Sequence, residues 1–156
     1  RQIEFIQQSG IVTAMVGVLV APPGTRLWER LQQEGRLLGP MTGDNLDGTT
    51  NIVPRMDLAS LRRGYQRMIA HIYAPKNYYR RVRTFLREYR PPKVHNPLEL
   101  QRLLAVPRSV VRLGIVGRER FQFWRLLLWT LLRRPRLLPL AVTFAIYGYH
   151  YRKFSG

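Results

Sequence analysis

Few side chains in this sequence are of a type that does covalent or metal chemistry, and their spacing is wrong for it. The histidines are His71, His95 and His150, and none has a partner at a metal-ligand spacing. They read as structural or solvated, with His71 near a helix C-terminus, where a cation is favourable. Asp44, Asp47 and Asp57 share a polar region. Within it GDNLDGTTN lacks the closing Glu that a calcium loop needs, so turn chemistry explains these acids. No carboxylate pair stands out for acid–base catalysis. Cysteine is absent, which removes disulfides, a cysteine nucleophile and a cysteine-ligated iron–sulfur cluster from these residues. No catalytic and no metal-ligating residue is assigned.

Charge is the stronger signal. Lys and Arg number 26 against 9 acids, a formal charge of +17, which favours an anionic partner: nucleic acid, acidic lipid, or an acidic surface of another domain. YYRRVRTFLREYR sets Arg80, Arg81, Arg83, Arg87 and Arg90 among aromatic rings, a pattern that nucleic-acid binding could use. Yet Tyr78, Val82, Phe85, Leu86 and Tyr89 have helical spacing. They read as core, with the arginines on the solvated opposite face, and nucleic acid ranks last among the partners. In FQFWRLLLWTLLRRPRLLPLAVTFAIYGYHYRKF neither apolar run reaches the roughly 20 residues that span a bilayer. Aromatic residues beside basic ones suit a membrane interface. Phe121, Trp124, Trp129, Arg133, Arg134, Arg136 and Tyr147 are the candidate membrane contacts. The competing reading is a buried helical hairpin.

The elements that would carry these residues are mostly helical. Arg1–Gln8 ends a helix that Ser9-Gly10 stops. Ile11–Ala21 is a continuous Val- and Ile-rich run, which reads as a strand buried on both faces, yet no second convincing strand follows. Thr25 caps a helix to Glu34 with Gly35 beyond it, and Leu27, Trp28 and Leu31 form its apolar face. Residues 36–56 are rich in turn signals, with TTNIVP as a short extended piece. Asp57 caps a helix to about Tyr73. Pro75 opens the next, to about Tyr89, and shorter helices start near Pro97 and Pro107. The fold class is therefore mainly α, with one N-terminal β-strand.

GIVTAMVGVLVAPPGTRLWERLQQEGRL resembles the last barrel strand and following helix of radical SAM enzymes, most closely the cobalamin-domain type with an extra C-terminal helical region. GDNLDGTTNIVPRMDLASLRRGYQRMIAHIYAPKNYYRRVRTFLREY and LLLWTLLRRPRLLPLAVTFAIYGYHYRKF resemble that helical region. The resemblance divides the chain into a barrel end at 1–35 and an irregular connection at 36–56. A helical C-terminal domain at 57–116 and a basic, very apolar hairpin at 117–156 follow.

The resemblance also implies that the end of the strand lies beside the adenine of SAM. Val18, Leu19, Val20, Pro22, Pro23, Gly24 and Thr25 are then the cofactor-binding candidates. The implied parent is a radical methyltransferase or related enzyme that uses SAM, a 4Fe-4S cluster and, in this type, cobalamin; some members methylate lipids such as hopanoids. The Cys-x3-Cys-x2-Cys motif of that chemistry is missing here, so this chain alone is expected to be non-catalytic, completing the SAM pocket and capping the barrel. RQIEFIQQ opens the sequence without an initiator Met or a signal-peptide pattern, and reads as cut from a longer protein. The expected partners are the missing N-terminal barrel and cobalamin-type domain, an anionic membrane surface, an apolar substrate, and a second copy paired through the orphan strand. The expected location is the cytoplasm, peripheral at the inner membrane face.

Overall fold

The computed structural model describes residues 1–39, 48–91, 113–115, 117 and 119–155, with side chains as far as Arg152. Asp44, Asp47, His95 and the short helices near Pro97 and Pro107 lie outside the described residues. The described helices are α1 (Gln2–Gln8), α2 (Arg26–Gln33), α3 (Leu58–Tyr73), α4 (Pro75–Glu88), α5 (Arg120–Arg133) and α6 (Leu138–Ser155), with a 3₁₀ turn at Pro135–Leu137 before α6. The fold is mainly α. Among the described residues no helix is long and apolar enough to cross a membrane. The chain forms two compact units, Ala14–Ile69 and Arg1–Thr13 with Ala70–Gly156.

In the unit of residues 14–69, local signals fix each element. Pro22-Pro23-Gly24-Thr25 closes a turn through Thr25 N–H to Pro22 O (3.3 Å). Gly24 takes φ +76°, and Pro before a left-handed Gly is the type II pattern. The Thr25 hydroxyl accepts the Trp28 N–H (3.2 Å) and caps α2. At the other end Arg36 N–H reaches Leu31 O (2.8 Å) and Gly35 N–H reaches Gln32 O (3.1 Å), a Schellman closure. Leu31, Ala21 and Ile52 form a small core, joined by Leu27, Trp28 and Leu37. Leu37 and Ile52 make an antiparallel bridge, so TTNIVP does extend. Asp57 accepts the Ser60 N–H (2.9 Å) at the start of α3, and that bond holds its carboxyl below the ordinary range.

The expected strand Ile11–Ala21 is corrected: among the described residues it joins no sheet. A strand needs a backbone neighbour along its length, and near the end of this segment the partners are the side chains of Thr50 and Asn51. Nor is it buried on both faces here, since Met15 is 72% and Leu19 67% exposed. From Ala14 to Val20 exposure alternates residue by residue, which is the pattern of an extended chain with one sheltered face.

In the other unit α4 packs against α1, α5 and α6. Its buried side is Tyr78, Tyr79, Arg81, Val82 and Leu86. Ala141, Ala145 and Gly148 line the facing side of α6, and these small residues let the Tyr78 ring lie against the helix. The Tyr78 hydroxyl donates to Phe144 O (2.7 Å). Tyr73 stacks on Tyr151 with centroids 4.9 Å apart. Burial pushes the Tyr78 and Tyr79 hydroxyls up. Glu119, at the N-cap of α5, pairs with Arg152 of α6; burial raises its carboxyl although Arg152 opposes the shift.

Candidate functional site

The residues around 18–25 are held by two neighbours of no obvious chemical interest in the sequence. Asn51 brackets Ala21: its Oδ1 accepts the Ala21 N–H (2.8 Å) and its Nδ2 donates to Ala21 O (2.8 Å). One side chain thus reproduces the donor–acceptor pair that a neighbouring strand would supply. The Thr50 hydroxyl donates to Leu19 O (2.6 Å). Ala21 is fully buried and Asn51 nearly so, so these bonds replace lost solvation.

In an extended chain the backbone groups of alternate residues face opposite edges. Thr50 and Asn51 therefore close the edge that carries Leu19 and Ala21. On the opposite edge, the backbone groups of Val18 and Val20 make no backbone hydrogen bond among the described residues. Val18 and Val20 are half-buried, Leu19, Pro22, Pro23 and Gly24 are exposed, and Thr25 is half-buried at its cap. A side chain added at Gly24 would meet nothing within 4 Å. For SAM this arrangement fits in part. Leu19 offers apolar surface to an adenine, while the Ala21 backbone groups are already committed to Asn51. A cysteine-ligated cluster finds no ligand in this chain.

Arg81 departs from the sequence reading. Expected on the solvated face of α4, it is fully buried. Its guanidinium donates to Ile11 O (3.0 Å), Ile72 O (2.7 Å) and Gln7 Oε1. It lies 5.9 Å from the Tyr73 ring centroid and 5.6 Å from that of Tyr78. Carbonyl oxygens and ring faces, rather than a carboxylate, balance its charge. The signal was available in the numbering, because 81 stands three residues after Tyr78, on the apolar stripe.

The candidate membrane contacts fall into two groups. Phe121 (75% exposed), Trp124 (47%) and Tyr147 (48%) stand open to solvent, as do Arg133 and Arg136, and Trp129 is half-buried. Trp124 Nε1–H donates to Gly114 O (3.0 Å). Arg134 is drawn elsewhere, donating to Tyr89 O (3.2 Å) and Arg87 O at the end of α4. Leu128, Leu131 and Leu132, which the sequence reading did not single out, are more than half exposed. Among the described residues no three of His, Cys, Asp and Glu gather as a metal site would require.

Residues 25–156 match the family model described as a domain of unknown function, DUF4070. An uncharacterized methyltransferase of Synechocystis sp. is 30% identical over 162 residues, covering 99% of this chain. Hopanoid C-2 methylase of Rhodopseudomonas palustris is 28% identical over 139 residues, covering 83% of it. The chain spans 30% and 25% of the lengths of these two relatives. No solved structure matches. With the family match over residues 25–156 and a helical fold, the chain belongs to the DUF4070 family.

Proposed function

We propose that this chain is the non-catalytic C-terminal part of a longer radical SAM methyltransferase, in which Ala14–Ala21 serves as the last strand of the barrel. The observation that carries this is the asymmetry of the segment: Thr50 and Asn51 close one edge, and the Val18–Val20 edge is open. A barrel strand would pair along that open edge and cover Met15 and Leu19. Val18, Leu19 and Val20 would then border the SAM adenine, with the Pro22–Thr25 turn fixing where the chain leaves the barrel. SAM and a 4Fe-4S cluster held by upstream residues, with cobalamin in the type this chain resembles, would supply the methylation chemistry. This chain's own work is to close the pocket and exclude water. In isolation the same edge would pair two copies.

The test is photoaffinity labelling of the full-length protein with an 8-azidoadenosyl analogue of SAM, followed by peptide mapping. Label within residues 18–25 is expected. Efficient, SAM-competed label confined to peptides outside this segment would overturn the proposal.

A second reading has its own observation: Phe121, Trp124 and Tyr147 are exposed, and so are Arg133 and Arg136. On this reading the protein meets the inner membrane face as a peripheral protein. The name of the hopanoid methylase relative adds an apolar, lipid-class substrate. Flotation with vesicles tests it: binding should require anionic lipid and weaken with salt.

A further inference from the structure

A surface helix ordinarily confines its apolar residues to the side it buries. α5 does not. Phe123, Leu126 and Thr130 fill its buried side. Phe121, Trp124, Leu128 and Leu132, at helical spacing on the opposite side, are between 47% and 75% exposed. Contiguous exposed apolar surface of this kind marks an interaction site.

The neighbouring charge says what kind of partner fits. α4 carries Arg80, Arg83 and Arg87 at three- and four-residue steps, hence on one side. α4 packs on α5, and Arg125 of α5 is near enough to act on Arg83. Burial, then the like charges of Arg125, Arg80 and Arg87, hold the Arg83 guanidinium below its ordinary range. Among the described residues none of the four is in an ion pair with a carboxylate. Like charges gathered in this way repel until an anion joins them. Arg125 belongs to both features. With Trp124, Leu128, Trp129 and Leu132 it lines a shallow, almost wholly apolar groove of about 500 Å³.

We infer that the apolar side of α5 and the guanidinium cluster of Arg80, Arg83, Arg87 and Arg125 form one site for an acidic phospholipid in a bilayer surface. The guanidinium forks take the headgroup phosphate. Trp124, Leu128 and Leu132 enter the headgroup–acyl boundary with α5 lying in the plane of the interface. This inference rests on the membrane-surface reading above and adds which residues hold the headgroup phosphate and which enter the bilayer surface. Nucleic acid would satisfy the arginines but leave the apolar side of α5 in water.

The experiment is co-sedimentation of the full chain with vesicles of phosphatidylcholine alone and of phosphatidylcholine with phosphatidylglycerol. It compares the wild type, Arg83→Gln/Arg125→Gln, Leu128→Ser/Leu132→Ser, and a control, Arg62→Gln/Arg67→Gln, on the exposed side of α3. Circular dichroism verifies the fold of each. The Arg83/Arg125 pair should bind phosphatidylglycerol vesicles about 30-fold more weakly, as two charges lost at an anionic surface imply. The leucine pair should also weaken, and the control should not. Wild-type binding that the Arg83/Arg125 pair and the control reduce equally overturns this site but leaves the membrane-surface reading standing. No binding of the wild type to phosphatidylglycerol vesicles overturns both. Binding to single-stranded RNA that resists the leucine substitutions and displaces the vesicles assigns the arginines to a polynucleotide and overturns the inference.

Discussion

Gly148→Ala should destabilise this protein, although alanine favours a helix over glycine by about 1 kcal/mol. A methyl group at 148 would stand 2.7 Å from Cδ1 and 2.9 Å from Cζ of the Tyr78 ring. Tyr78 cannot swing aside cheaply: it is fully buried, and its hydroxyl is tied to Phe144 O at 2.7 Å. Forcing one carbon into a packed core costs about 1–3 kcal/mol. Losing the hydroxyl's bond as the ring shifts costs about 1–3 kcal/mol more. Set against the propensity gain, the net loss is about 3 kcal/mol. Gly64→Ala supplies the contrast. It lies in α3, is exposed, and its added methyl would meet nothing within 4 Å. It should therefore gain up to about 1 kcal/mol. Urea unfolding followed by far-ultraviolet circular dichroism would read both as midpoint shifts of opposite sign at unchanged m. In a Tyr78→Leu background the cost of Gly148→Ala should largely vanish, which isolates the contact. An unchanged or raised midpoint for Gly148→Ala in the parent chain would refute the packing of α4 on α6.

Other expectations follow from buried polar groups. Asn51→Ala leaves both backbone groups of the buried Ala21 without partners and should cost about 2–4 kcal/mol, with faster exchange of the Ala21 amide as the direct readout. Arg81→Met strands the carbonyls of Ile11 and Ile72 and should cost about 3 kcal/mol in urea unfolding. Arg81→Lys should recover little of that, because an ammonium cannot reproduce the fork. Tyr78 and Tyr79, with hydroxyls raised by burial, should stay protonated above the ordinary tyrosine value of about 10. Their contribution to stability is full below that value and is lost as pH rises through the raised folded values, so tyrosinate absorbance should appear together with unfolding. Glu119, also raised by burial, should make stability fall as pH rises between the ordinary glutamate value and its own. Glu119→Gln should flatten that slope in urea midpoints measured across the acid range.

Much of this fold is written locally. Thr25 before an apolar face, Gly35 after it, Asp57 at the head of α3 and Pro75 at the head of α4 each act within a few residues, and each sits where its capping chemistry requires. Ile11–Ala21 was legible as an apolar extended run, and so was the lack of a second convincing strand; the partner of its end was not, because it lies far away in sequence. What pairs with its end is a side-chain amide, Asn51, and nothing in the pattern of TTNIVP announces that. Arg81 was misplaced for a related reason. Residue type argued for solvent, while its position on the α4 stripe argued for core, and the carbonyls that make burial tolerable come from Ile11 and Ile72. The exposed side of α5 was half legible. Trp124 and Phe121 stood out as aromatic, whereas Leu128 and Leu132 differ from the buried Leu126 only in the direction in which they leave the helix.

Amide hydrogen exchange at Val18 and Val20, measured in the full-length protein and in this chain alone, tests the central claim most directly. The Ala21 amide, held by Asn51, should be protected in both samples and serves as the internal standard. If the open edge is a barrel edge, Val18 and Val20 should exchange freely in the chain alone, diluted until it sediments as a monomer, and be strongly protected in the full-length protein. Equal, fast exchange of Val18 and Val20 in both samples, with Ala21 still protected, would mean that no strand pairs there, and the barrel-completing role would be wrong.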